Sequence, residues 1–381
     1  MQYGIRYILP YIVLVTYCVM CACYLLFSKR NAFGKGVLPD QRLRREGGWV
    51  FAVSTIIYIL NVPLLFVKDI TTIQMVSVAM DVAVAFPFPY RFMLILLQDR
   101  KRWNWRVWVV TALLGGVPLA GWLIWRNPWW PTVLFVALFV ESVAFVAIYI
   151  RAWMEYRTFL MDNYADLERK EVTWSLIMLG MVIVTVLSYF IQWKQFVNSP
   201  SWGMEYFFPT AEIALITFIA WRIDQQLVLS PVPETKVESV QEPERADEGD
   251  LIVKRMEVLL KKNCEATGLY RQNELTLAAL AMACGTNRSY LGKYFAANGL
   301  NYNTYINGLR IEYFKKALLE SYTSAPSERP TVAELAEQSG FNSYPTFYRA
   351  FRAHTGRTVR EWLSDNKLHV EQDASSACGE L

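Results

Sequence analysis

The sequence predicts an all-α protein in two unlike halves. The first is a polytopic membrane helix bundle of seven spans, N-terminus outside and C-terminus inside, and the second is a soluble domain of two helix-turn-helix units. Three observations predict it. Apolar stretches of about 20 residues, the length a bilayer span requires, recur seven times before residue 222. Thirteen of the 14 Trp lie in that part, leaving only Trp362 behind. A pattern beginning at residue 276 is then repeated from residue 331 in a polar, helix-forming context.

The chain of 381 residues exceeds one usual domain. Its averages of 54% hydrophobic, 15% aromatic and 19% charged residues, with mean hydropathy +0.20, hide the difference between the halves. The apolar stretches lie near 7–27, 49–67, 72–97, 107–125, 131–150, 173–197 and 204–221. The first is too long for a cleaved signal peptide, and Ser28-Lys29-Arg30 follows it as a stop signal. Orientation comes from the loops. Lys29, Arg30, Lys35, Arg42, Arg44 and Arg45 crowd the first, Arg100, Lys101, Arg102 and Arg106 the third, and Arg151, Arg157, Arg169 and Lys170 the fifth. The alternate loops hold Lys68, Arg126 and Lys194, so the positive-inside rule places the C-terminus in the cytoplasm. Trp103, Trp105 and Trp108 then mark the inner interface, and Trp122, Trp125, Trp129 and Trp130 the outer one.

Asp81, Glu141 and Glu212 interrupt these apolar runs near mid-depth, where an ionised acid costs about 2.5 to 3.5 kcal/mol on insertion scales. Pro87, Pro89 and Arg91 follow Asp81, a kink and then a cation able to pair with one of the acids. Two readings stay open. The polar groups hold helices together, or Asp81, Arg91, Glu141 and Glu212 line a signal pocket for a small ligand or a proton.

Catalysis finds little footing. His354 and His369 are the only histidines, both in the second half, so the apolar half has no His for a triad or a metal site. Cys18-x-x-Cys21 has no second pair or His nearby, and packing is its reading; no phosphate-binding Gly-Lys loop occurs. The sequence therefore points to no enzyme, no cofactor and no metal.

Residues 230–250, SPVPETKVESVQEPERADEGD, combine Pro231, Pro233 and Pro243 with excess acid and read as a disordered tether with a reach of roughly 25 Å. The domains expected are thus 1–229 in the membrane, the linker 230–250, a DNA-binding domain 251–368 and a disordered tail 369–381.

In the repeat, Thr276, Ala278, Leu280, Ala281, Gly285 and Asn287 match Thr331, Ala333, Leu335, Ala336, Gly340 and Asn342. One extra residue in the second copy then aligns Leu291, Lys293 and Phe295 with Phe347, Arg349 and Phe351. Each copy reads as a helix, a Gly turn and a second helix of the kind that enters the major groove. With Leu291 and Phe295 facing inward, Ser289, Gly292 and Lys293 share the outer face, with Arg288 at the helix start. In the second copy Pro345, Tyr348, Arg349 and Arg352 face outward, with Tyr344 at the start. Arg349 is the best base reader, because its fork grips guanine O6 and N7. Between the copies YNTYINGLRIEYFKKALLESY reads as a helix about 28 Å long, close to one DNA turn of about 34 Å. Basic groups outnumber acidic ones 16 to 10 over residues 251–368, as phosphate contact requires.

LTLAALAMACGTNRSYLGKYF, GLRIEYFKKALL with Arg310 and Ile311, and VAELAEQSGFNSYPTFYRAFRAHTGRTVREW occur in that order over residues 251–368. This third of the chain resembles the DNA-binding domain of AraC/XylS-type transcription regulators. The resemblance implies two helix-turn-helix units on a long linking helix, sequence-specific binding of double-stranded DNA near promoters, and contact with RNA polymerase. Three positions depart from the pattern. Val359 stands where the family usually has Pro, Phe314 where a small residue is usual, and Gly292 where a larger polar reader is common, so the first unit adds position more than base specificity.

Together these features predict a one-component regulator in a bacterial cytoplasmic membrane, sensing a signal at or in the bilayer and switching transcription from the cytoplasm. The alternative class is a transporter or membrane enzyme with a regulatory DNA-binding tail, and another is a passive anchor. Two reading helices in one chain let a monomer bind an asymmetric site, and a homodimer stays open beside it.

Overall fold

The structure, a computed structural model, describes residues 5–28, 41–63, 67, 69–97, 105–167, 173–196, 204–225, 246–322 and 330–366. All the regular elements among them are helical; the one β-type pairing is an isolated bridge between Tyr164 and Thr276. The chain forms two compact units: residues 1–156 with 172–229, and residues 157–171 with 230–381.

In the first unit, α1 spans Ile5–Phe27, α2 Gln41–Asn61, α3 Ile70–Met80, α4 Pro87–Leu96, α5 Trp105–Trp125, α6 Trp129–Asn163, α7 Trp174–Phe196 and α8 Met204–Gln225. Three stretches, Thr71–Leu96, Trp105–Trp125 and Trp129–Asn163, are long and apolar enough to cross a membrane. Tyr11–Phe27, Trp174–Val184 and Ile213–Ile223 are shorter apolar helices.

Two boundaries differ from the sequence reading. α2 begins at Gln41, so Arg42, Arg44 and Arg45 lie on a helix and not in a loop. The reason is visible at Arg44, which is buried: its Nη2 donates to the Tyr24 carbonyl in the last turn of α1 at 3.2 Å and its guanidinium lies over the Tyr24 ring. That carbonyl also accepts the Ser28 N–H at 3.1 Å, so the guanidinium takes its second lone pair. α6 likewise runs on to Asn163, which puts Arg151 and Arg157 on it.

The kink expected from Pro87 and Pro89 takes a defined form. Residues Asp81–Ala85 make one π turn between α3 and α4. Neither proline has an N–H to offer the preceding turn, and Thr111 of α5 donates its hydroxyl to the Ala83 carbonyl at 3.4 Å. Gly115 lets α5 come that close, since a Cβ there would lie 2.5 Å from the Ala79 carbonyl oxygen. Met75, Val78, Ala79 and Val82 pack in this region with Trp122 of α5 and Leu134, Phe135 and Leu138 of α6.

Of the four polar groups read as a pocket, Arg91 pairs with Glu46 of α2, Nη1 to Oε2 at 2.8 Å. Asp81 opens the π turn and is half-buried. Glu141 is 4% exposed, and neither carboxylate oxygen has a hydrogen-bond partner among the described residues. Its neighbours Val140 and Val143 are 55% and 53% exposed. Glu212 sits on α8, and its side chain lies outside the described residues.

The second unit starts with α9, Ala246–Leu260, ahead of the expected linker end at 250. Residues 226–245 lie outside the described residues. There follow α10 Leu277–Ala283, α11 Arg288–Ala297, α12 Tyr302–Ser321, α13 Val332–Gln338, α14 Tyr344–Thr355 and a helical stretch at 359–366. Two cores share α12. Tyr302 and Ile306 join Leu260, Cys264, Leu277, Leu280, Leu291 and Phe295, while Ile311, Phe314 and Leu318 join Leu335, Phe341, Phe347, Phe351 and Val359.

Candidate nucleic-acid interface

Each helix-turn-helix unit is punctuated by local chemistry. In the first, the Thr276 hydroxyl accepts from the Ala279 N–H to cap α10, and Asn287 accepts from Tyr290 at 2.9 Å to cap α11. The turn between passes through Gly285 at φ 63°, left-handed backbone that glycine adopts at little cost. In the second, Thr331 and Glu334 form a reciprocal capping box on α13, and those hydrogen bonds hold the Glu334 carboxyl below its ordinary pKa. The extra residue of the second copy falls here. Ser343, and not Asn342, caps α14 by accepting from Thr346. α14 ends at Gly356, φ 74°.

The caps set each helix's rotation. Leu291 and Phe295 of α11 are buried, Ser289 and Lys293 are exposed, and Arg288 and Gly292 are half-buried. On α14, Phe347 and Phe351 are fully buried, Tyr344, Pro345, Arg349 and Arg352 are exposed, and Tyr348 is half-buried. Every residue expected from the sequence to face DNA is thus on the described helices, one set along α11 and the other along α14. The sequence reading names Tyr344 and Tyr348 but neither Tyr290 nor the pairing of the two rings. Tyr290 is exposed on α11 beneath the Lys293 ammonium, 5.9 Å from its ring centroid, and the Tyr344 and Tyr348 rings lie 6.4 Å apart along α14. Their i,i+3 and i,i+4 spacings are the signal that could have found them.

A buried cation ties the two units. Arg310, at the midpoint of α12, is 1% exposed; Nε donates to the Tyr270 carbonyl at 2.7 Å and Nη2 to the Gln272 carbonyl at 2.9 Å. Its guanidinium also lies 5.6 Å over the Phe341 ring of the second core. Burial pulls its pKa down to about 10, which still leaves it charged at neutral pH. Gly340 completes the seam, at φ 96° with an added Cβ 2.6 Å from the Arg271 carbonyl oxygen. The segment before the first unit therefore packs on the turn of the second. Phe314 fills the second core against Phe347 and Phe351, ring centroids 4.4 and 5.7 Å away, which is how the fold accommodates the large residue there.

A family model for a helix-turn-helix domain matches residues 280–365, across both units and the helix between them. This region is a helix-turn-helix domain of the AraC type. The AraC-type domain is also similar to proteins named as uncharacterized HTH-type transcriptional regulators of Staphylococcus aureus. Those of strains MRSA252 and COL are 30% and 29% identical over 114 residues. These matches take in 30% of this chain and 14% of each relative's length. No solved structure matches the chain.

Proposed function

We propose that the protein is a membrane-embedded one-component transcription regulator whose AraC-type domain binds specific promoter DNA in response to a signal sensed at or in the bilayer. The observation that carries this reading is the pairing, in one chain, of two capped reading helices with helices that turn valines outward and an acid inward. The first 225 residues span a bacterial inner membrane seven times, N-terminus outside, and the reading domain lies in the cytoplasm where DNA is. Double-stranded DNA is the partner, with RNA polymerase beside it on the promoter. The role is not enzymatic. Glu141, buried without a hydrogen-bond partner among the described residues, is the group assigned to the small ligand or proton, and a homodimer is compatible with this reading.

Arg349→Ala is expected to lose about 1 to 3 kcal/mol of binding and to relax discrimination at one base pair, as the loss of a bidentate guanine contact does. Affinities for single-base variants of the bound sequence read this. Equal weakening on every variant makes Arg349 a phosphate contact instead. Reporter fusions after Gln225 test the topology: a cytoplasmic reporter is active there and a periplasmic one silent, and the reverse outcome removes the reading.

A further inference from the structure

The tip between α6 and α7, although it belongs by sequence to the membrane half, folds with the reading domain: residues 157–171 form one compact unit with the C-terminal region. Ala165 is 1% exposed within the first helix-turn-helix core. Its carbonyl accepts from the side-chain amides of Asn303 at 2.8 Å and Asn307 at 3.0 Å, both on the linking helix α12. The Tyr164 carbonyl accepts from Asn303 at 3.0 Å, and Tyr164 makes the isolated bridge to Thr276. The Asp166 carboxylate accepts from the Asn342 amide at 2.6 Å, one residue before the cap of α14. The Tyr164 phenol lies within electrostatic reach of Arg288, the first residue of α11.

The seat is therefore built, and its occupant is known. Three asparagine amides converge on three consecutive residues of the chain. The Asn342 hydrogen bond falls just before the start of α14, and Arg288, within electrostatic reach of Tyr164, begins α11. In helix-turn-helix complexes the N-terminal residues of the reading helix approach the DNA, and helix starts and side-chain amides are common donors to phosphate. A carboxylate held at Asn342 has the charge and acceptor character of a phosphate oxygen.

From this arrangement we infer that residues 164–166 are an intramolecular latch seated beside the starts of both reading helices, where the Asp166 carboxylate at Asn342 competes with a DNA phosphate, so that docking of the tip and binding of DNA exclude each other. This rests on the reading of α11 and α14 as DNA-binding helices. The latch is the direct continuation of α6, the helix that carries Glu141. An event in the membrane that shifts the end of α6 withdraws the tip and frees the Asn342 amide for a phosphate. Signalling of this kind needs no push through the 226–245 segment.

The test uses the full chain in lipid nanodiscs with Asp166→Cys and Asn342→Cys, joined by a short bis-methanethiosulfonate crosslinker that a thiol reductant releases, each single substitution serving as control. The probe is a pool of random DNA duplexes about three turns long, from which bound sequences are recovered at physiological salt. With the tip held down, binding is expected to fall at least about tenfold, the loss when nine-tenths or more of the molecules are closed, and reductant restores it. Asp166→Ala without crosslinker is expected to bind more tightly than the unsubstituted chain. Equal binding by the crosslinked and released forms overturns the latch and leaves the DNA-binding reading intact. Failure of the crosslink to form shows the tip is not seated at Asn342 and overturns it as well. If neither form enriches any sequence, the DNA-binding reading itself falls and the latch falls with it.

Discussion

Phe347→Ala is expected to open the second helix-turn-helix unit, at a cost of about 3 to 5 kcal/mol, the usual range for a fully buried Phe reduced to Ala. The ring is fully buried and is ringed by Phe314, Phe341, Phe351 and Tyr344 at centroid distances of 4.4, 5.4, 5.7 and 5.8 Å. Collapse into the space it leaves is limited, because its neighbours are rings held on α12, on α14 itself and on the turn between α13 and α14. Hydrogen exchange of the α13 and α14 amides in the full chain reads the effect as a loss of protection confined to that unit. Tyr348→Ala, one residue along and half-buried, is the contrast, expected to leave protection within about 0.5 kcal/mol of the starting value. Equal loss at both positions would mean that the rotation of α14 is not as described.

Arg310→Met is expected to have the second large effect, and to act on the junction between the units more than on either core. It removes both donors from the Tyr270 and Gln272 carbonyls while keeping most of the volume. A fully buried carbonyl left without a donor costs about 1 to 3 kcal/mol; these two are only part-buried and water reaches them in part, so the expected loss is about 2 kcal/mol. Arg310→Lys does not rescue it, since a single ammonium lacks the planar fork that reaches two carbonyls and stacks on Phe341. Hydrogen exchange is expected to rise at 269–272 and around Gly340 while α10 and α11 stay protected. In DNA binding, the protected stretch shrinks toward one half-site because the spacing of α11 and α14 is no longer fixed. Unchanged exchange at 269–272 would show that Arg310 is not the tie between the units.

Much of the reading domain is legible in the amino-acid sequence alone, because its signals are local. Thr276 and Thr331 precede apolar helices at capping positions, Gly285 and Gly340 sit where the backbone needs positive φ, and Phe347 and Phe351 keep helical spacing. The seam between the units is not legible there. Arg310 stands out in the sequence only as a residue of the family pattern, and its partners Tyr270 and Gln272 lie some 40 positions away in a segment without periodicity. The same holds for Ala165, an alanine among polar residues whose burial depends on asparagines about 140 positions later. In the apolar half, the pairing of Arg91 with Glu46 is hidden because residues 41–48 read as a basic loop, although they form the start of α2.

The proposed function requires that the chain, held in a membrane, read specific DNA through α11 and α14. Footprinting of the full chain in nanodiscs on genomic DNA at physiological salt, with Arg349→Ala as the control, tests it most directly. A discrete protected site of about two helical turns that is lost in the control is the expected result. Weak protection spread over all sequences, fading with salt and indifferent to Arg349, would contradict it.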